Sequence, residues 1–289
     1  MPPKKDKAIK GAASARARAK KANASLGVVR LDYDYPPAPG DIDSPDSFGY
    51  DVFYRAVPGL SFGMCQRGEL TDKVKAEFIE AVQWLDKEKG VSAITGDCGF
   101  MMWFQDLARQ HTKKPVLMSS LVQMPSIAAA YSKTEDIAIF TANSVTLTPM
   151  NSLIEEQCGV NPADTRFHIV GCQDVDGFDA VAVGGKVDVP RVTPGIVALA
   201  KEVLAKNPSI RAILLECTEL PPYADALRAA TGLPVFDAIT CCNMFIEGMV
   251  DNPRFGINDW QEGWDGVQEK YELGQNLDAE DKKALESAV

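Results

Sequence analysis

Short apolar runs alternate with amphipathic stretches along most of this chain. Leu26-Gly-Val-Val-Arg-Leu-Asp-Tyr33 and Asp51-Val-Phe-Tyr-Arg-Ala-Val57 read as the first two strands. Between them lies Asp34-Tyr-Pro-Pro-Ala-Pro-Gly40, too rich in proline for a helix or a central strand. Residues 34–49 therefore form a long loop, and such loops are usually functional or disordered. A helix is expected over 71–88. Thr71-Asp72 offers a cap, Val74, Phe78, Ala81, Val82 and Leu85 fall on one face, and Gly90 provides the stop.

Strands and helices then alternate. Strand 91–97 leads to a helix near 101–111, and strand 115–121 to one near 125–132. Strand 136–141 leads to a helix near 147–158, and strand 166–171 follows. A loop over 172–192 precedes a helix with Pro194 in its first turn. Strand 211–216, a helix near 222–231, strand 234–237 and a helix near 239–250 complete the series. The strands are near-continuous in Val, Ile, Leu and Ala, the pattern of buried parallel strands. The expected fold is α/β, with two pseudo-symmetric lobes, each a mainly parallel sheet flanked by helices, and a site in the cleft between them. The lobes span 26–135 and 136–252, the last helix packing back on the first lobe.

Composition refines this picture at the two ends. Residues 1–25 carry eight basic residues and one acid, which reads as a disordered basic leader or an organelle-targeting segment. Residues 253–289 hold nine acids and four bases and read as an acidic tail over the core or a neighbouring subunit. Trp260 and Trp264 are spaced for one helical face. The net charge of −10 argues against nucleic-acid binding by the chain as a whole. No apolar run is long enough to span a membrane. Seven cysteines without a CxxC pair, and two histidines, give no metal-site spacing. Reduced thiols in an intracellular protein, cytoplasmic or chloroplast, fit this cysteine usage.

The candidate chemistry lies in two similar phrases, Val91-Ser-Ala-Ile-Thr-Gly-Asp-Cys-Gly99 and Arg211-Ala-Ile-Leu-Leu-Glu-Cys-Thr-Glu219. Each is an apolar strand that ends in an acid and then a cysteine. Free cysteine is commonly a buried small hydrophobe. Its repetition after an acid, at like positions in the two halves, points instead to a pair facing one substrate. Cys98 and Cys217 would sit at strand-to-helix turns, where a helix N-terminus lowers a thiol pKa. N–H groups of Gly99, Phe100 and Met101 on one side, and of Thr218 and Glu219 on the other, would hold a carboxylate. That arrangement suits proton abstraction next to a carboxylate.

Gly96-Asp-Cys-Gly99, Phe140-Thr-Ala-Asn143 and Glu216-Cys-Thr-Glu219 resemble the aspartate/glutamate/hydantoin racemase superfamily. The resemblance implies two α/β lobes, one catalytic cysteine from each, no cofactor, and substrate binding by Thr141 and Asn143. The racemases usually place asparagine and threonine directly after the first cysteine. Here Gly99-Phe-Met-Met-Trp103 follows, which replaces a polar grip on an ammonium group with bulk and sulfur. Leu31-Asp-Tyr-Asp-Tyr-Pro-Pro-Ala-Pro-Gly-Asp41, Phe48-Gly-Tyr-Asp-Val-Phe-Tyr54 and Val57-Pro-Gly-Leu60 are similar to the algal Alma-type dimethylsulfoniopropionate lyases of that superfamily.

This second resemblance implies cleavage of dimethylsulfoniopropionate to dimethyl sulfide and acrylate. By analogy Cys217 is the base and Cys98 works from the opposite face, an order that could be swapped. A sulfonium is attracted by aromatic faces, so Phe100, Trp103, Tyr50, Phe53 and Tyr54 are candidates to surround it, with Asp97 or Glu216 adding negative potential. The resemblance also implies a homodimer or homotetramer. The alternatives are a cofactor-independent racemase or isomerase using the same cysteines, and a catalytically silent relative that binds small carboxylates.

Overall fold

The computed structural model describes residues 24–34, 36–183, 185–250, 266–267 and 277–286. The leader up to residue 23, Trp260 and Trp264 lie outside the described residues. Two four-stranded parallel sheets form the framework. The first contains β1 (Ser25–Arg30), β2 (Asp51–Ala56), β3 (Ala93–Gly96) and β4 (Val116–Leu117) in the order β2-β1-β3-β4. Its helices are α1 (Phe62–Arg67), α2 (Asp72–Lys87), α3 (Gln105–His111) and α4 (Met124–Ala130).

The second sheet contains β5 (Asp136–Thr141), β6 (Phe167–Gly171), β7 (Ile210–Leu215) and β8 (Val235–Phe236). Its order, β6-β5-β7-β8, repeats the first. Helices α5 (Ser144–Leu147), α6 (Asn151–Cys158), α7 (Val189–Lys206), α8 (Ala224–Thr231) and α9 (Ala238–Glu247) follow in the chain. Cys241, Cys242 and Ile246 of α9 pack with Leu26, Val28, Ala93 and Leu117 of the first sheet.

The chain divides into two units, Met1–Val250 and Asp251–Val289. In the second, α10 (Ala279–Glu286) opens with Glu280 and Asp281 and carries Lys283 in its last turn, charges that complement the helix dipole. Among the described residues no helix is long and apolar enough to cross a membrane.

The local chemistry explains the elements. The Thr71 hydroxyl accepts the Val74 N–H at 3.3 Å and starts α2, which buries Val74, Phe78, Ala81, Val82 and Leu85. Leu85 lies over Gly27 in the middle of β1, where a Cβ would stand 3.1 Å from its methyl carbons. The missing side chain lets helix and strand approach closely.

Several boundaries differ from the sequence reading. Ser25, assigned to the leader, begins β1. Helix α1 was not expected, although Ser61 caps its start and Gly68, at φ +68°, ends it. Strand 115–121 shortens to Val116–Leu117 because the Gln105 side chain takes the next ladder position. Its Nε2 donates to the Val116 carbonyl at 2.7 Å and its Oε1 accepts the Met118 N–H at 2.9 Å. Helix α7 begins at Val189, since Asp188 caps it by accepting the Arg191 N–H at 3.2 Å. Pro194 therefore sits inside that helix rather than in its first turn.

Replacing Leu85 by alanine should cost about 2–5 kcal/mol, because a fully buried side chain leaves a cavity above Gly27. Denaturant titration should show a lower midpoint at an unchanged slope. A midpoint equal to that of the wild type would contradict this packing.

Candidate active site

In each sheet the order reverses between its first and third strands, so the loops leaving those strands open a crevice at their C-terminal ends. The turn after β3 carries Asp97 and Cys98, and the turn after β7 carries Glu216 and Cys217. The acid before each cysteine holds the neighbouring strand's exit. Asp97 Oδ2 accepts the Leu31 N–H at 2.9 Å, just past β1. Glu216 Oε2 accepts the Thr141 hydroxyl at 2.7 Å, at the end of β5. The same device, used once per lobe, explains why an acid precedes both cysteines.

The two turns touch. The Thr218 hydroxyl donates to the Asp97 carbonyl at 2.6 Å. A Cβ on Gly99 would lie 2.0 Å from Glu216 Oε1 and 2.5 Å from the Glu216 carbonyl oxygen, so only glycine fits there. Ser120, beyond β4, donates to the Leu215 carbonyl at 2.8 Å. Residues on either side of the two cysteines are thus in direct contact across the lobes. Cys98 and Cys217 are 5% and 6% exposed.

The electrostatics overturn one expectation. Neither thiol is acidified, and both are held well above their ordinary pKa. For Cys98 the causes are its hydrogen bond with Cys65, then burial, then the negative charge of Glu219 and Asp97. For Cys217 they are burial and the charges of Glu219 and Glu216. The turn after Cys98 is a 3-10 helix over Gly99–Phe104, and its few free N–H groups are outweighed by the surrounding carboxyls. The Cys217 thiol donates to Glu219 Oε2 at 2.8 Å. Burial and the charge of Asp43 bring the half-buried Glu219 to about 7. Glu216 also rises to about 7 on burial, and Asp97 rises strongly.

Not every sequence candidate lines this pocket. The Gly99 and Phe100 N–H groups have no acceptor among the described residues, whereas the Met101 N–H is taken by the Cys98 carbonyl at 2.9 Å. The Met101 side chain is fully buried against Gly96, and the Phe100 ring packs on Phe62 with centroids 6.2 Å apart. Trp103 covers Gly68 at the end of α1. Asn143 caps α5 by accepting the Val145 N–H at 2.9 Å.

The aromatic residues of β2 and its approach have partners of their own. Tyr54 donates to the Ile42 carbonyl at 3.0 Å, and its ring faces Arg30. Phe53 faces Lys89, and Tyr50 is buried with Cys241 and Cys242. Among the described residues, no group of three or more His, Cys, Asp or Glu side chains is arranged to hold a metal ion.

Sequence reasoning missed three residues, Tyr33 and Asp43 from the loop after β1 and Arg30 from its last position. Tyr33 feels Glu219, Asp97, Asp43 and Cys98, and burial with these charges keeps its phenol protonated. Asp43 and Arg30 pair with Nε and Oδ1 3.0 Å apart. For Asp43 the signal was the length of the loop itself.

No family model matches the chain. Dimethylsulfoniopropionate lyase 7 of Emiliania huxleyi (strain CCMP1516) is 62% identical over 268 residues, 91% of this chain and 78% of that protein. Dimethylsulfoniopropionate lyase of Durusdinium sp. clade D is 57% identical over 260 residues, 90% of this chain and 86% of that protein. Among solved structures, unliganded arylmalonate decarboxylase aligns at a TM-score of 0.50 and 16% identity, over 81% of this chain and 97% of that one, a likeness of fold.

The raised carboxyls make stability depend on pH with a definite sign. Their protons are held more tightly in the folded state, so their unfavourable contribution is absent in acid and grows as pH rises through about 6 for Asp43 and about 7 for Glu216 and Glu219. The melting temperature should fall between pH 5 and pH 8, and less steeply in Glu216→Gln. A melting temperature that rises over this window would contradict the assignment.

Proposed function

Because the chain belongs to the dimethylsulfoniopropionate lyase family, we propose that it cleaves dimethylsulfoniopropionate to dimethyl sulfide and acrylate without a cofactor, using Cys217 as the base. One observation carries the assignment of the base. The Cys217 thiol is hydrogen-bonded at 2.8 Å to Glu219, a carboxyl with a pKa close to neutrality, whereas the partner of Cys98 is another thiol. A neutral thiol cannot remove a carbon-bound proton, so it needs an acceptor for its own.

The steps follow from these groups. Glu219 accepts the Cys217 proton as the substrate's positive sulfonium enters and favours both anions. The thiolate then takes a proton from the carbon next to the substrate carboxylate. The electron pair flows toward that carboxylate, held by the free N–H groups of Gly99 and Phe100 with that of Thr218 opposite. Collapse of this carbanion forms the carbon–carbon double bond and breaks the carbon–sulfur bond. Dimethyl sulfide leaves with the bonding pair, and the abstracted proton returns to solvent through Cys217 and Glu219. Cys98 closes the opposite face of the pocket and positions the substrate there.

Purified protein given dimethylsulfoniopropionate should release dimethyl sulfide, and its absence at millimolar substrate would end this reading. Cys217→Ala should lower kcat by roughly a hundredfold to ten-thousandfold, more than Cys98→Ala does. Intact activity in both variants would refute thiol chemistry. Because the carboxylate form of Glu219 is required, kcat/KM should rise with pH through about 7. In Glu219→Gln that limb should move to the alkaline range of the unaided thiol. An unmoved limb would remove Glu219 from proton transfer.

A further inference from the structure

We propose that Asp43 is the specificity-determining residue for the substrate's cationic group, selecting a sulfonium over an uncharged group of the same shape. This rests on the reading above and names the side of the pocket that recognises the departing half of the substrate.

Asp43 comes from the long proline-containing loop between β1 and β2, which is anchored rather than loose. Asp41, Ile42, Asp43 and Ser44 are all buried. Asp41 Oδ1 accepts the Asp43 N–H at 2.8 Å, and the Tyr54 hydroxyl holds the Ile42 carbonyl. Gly40 lies against Pro222 of the second lobe, where a Cβ would come within 3.2 Å of the Pro222 Cα. The loop therefore bridges both lobes and delivers Asp43 to the cleft.

Arg30 ties two carboxyl groups together, and the Thr218 hydroxyl brings a third beside the Asp97 turn. Arg30 Nε lies 3.0 Å from Asp43 Oδ1 and 4.0 Å from Asp97 Oδ2. The Thr218 hydroxyl touches both the Asp97 carbonyl, at 2.6 Å, and Glu219 Oε2, at 3.3 Å. Arg30 faces Asp43 and Asp97, and Glu219 lies within electrostatic reach of both acids, so three carboxyls share one guanidinium in a site nearly closed to water. Three oxygens at this junction, Asp43 Oδ1, Asp97 Oδ1 and Glu216 Oε1, are buried without a hydrogen-bond donor. Glu216 Oε1 points at Gly99, beside Cys98. Negative potential that no donor offsets suits a cation that has no N–H to give. Of the β2 rings, Tyr54 already faces Arg30 and Phe53 faces Lys89.

The test compares two unreactive ligands of matched shape by titration calorimetry, 3-(trimethylammonio)propionate and 4,4-dimethylpentanoate, which differ only in the charge of the central atom. The wild type should bind the cation at least about tenfold more tightly, and Asp43→Asn should erase most of that ratio. Asp43→Glu should restore it. A wild-type ratio near one overturns the proposal, as does an unchanged ratio in an Asp43→Asn protein that melts normally. Should Asp43→Asn fail to fold, Arg30→Gln decides: freeing Asp43 of its partner should raise the ratio, and a lower one overturns the proposal. Failure to release dimethyl sulfide alongside an intact, Asp43-dependent ratio would fault the proposed reaction and support the cation selectivity.

Discussion

The structure depends on a hydrogen bond between two turns. The Thr218 hydroxyl of the second lobe donates to the Asp97 carbonyl of the first, with Gly99 pressed against Glu216 beside it. This contact sets Asp97-Cys98-Gly99 against Glu216-Cys217-Thr218. Neither lobe alone could bring the two acid-cysteine turns together. The repeated strand order delivers each cysteine to the same place in its own sheet, and the turn-to-turn contact converts that internal similarity into a shared pocket. The absent side chain at Gly99 matters as much as the hydroxyl, since any Cβ there would push the turns apart.

Closing the pocket this way buries more acid than it neutralises. Asp43, Asp97, Glu216 and Glu219 all sit above their ordinary pKa values, and the thiols rise with them. Such a site is unfavourable when empty and is relieved by a positive charge. A zwitterion with a cationic leaving group fits this tension, because the cation stabilises the thiolate while it remains bound and departs as a neutral sulfide. On the proposed reading, negative potential that hinders thiol ionisation in the empty site becomes part of substrate selection.

Much of this was legible in the sequence. The strand Asp136–Thr141 was readable to the residue because an unbroken apolar run had a clear polar start. The paired acid-cysteine turns and the family were legible because those segments are long and unusual. The rest was hidden for physical reasons. The early end of β4 follows from a side chain eleven positions upstream, Gln105, replacing backbone partners. The acidity of the thiols was misjudged because helix N-termini can be read along the chain, whereas Asp43, Glu216 and Glu219 converge only on folding. Asp43 belonged to a loop whose length flagged it, but nothing local distinguished it from its neighbours, and Tyr33 was read as the end of the first strand, which stops at Arg30.

The most direct test of the two-lobe thiol pocket is a crystal structure with 3-(trimethylammonio)propionate bound. The account expects the carbon next to the ligand carboxylate about 3–4 Å from Cys217 Sγ, Cys98 on the opposite face, and the carboxylate on the Gly99 and Phe100 N–H groups. A ligand bound away from either sulfur, or two sulfurs too far apart to face one carbon atom, would contradict it.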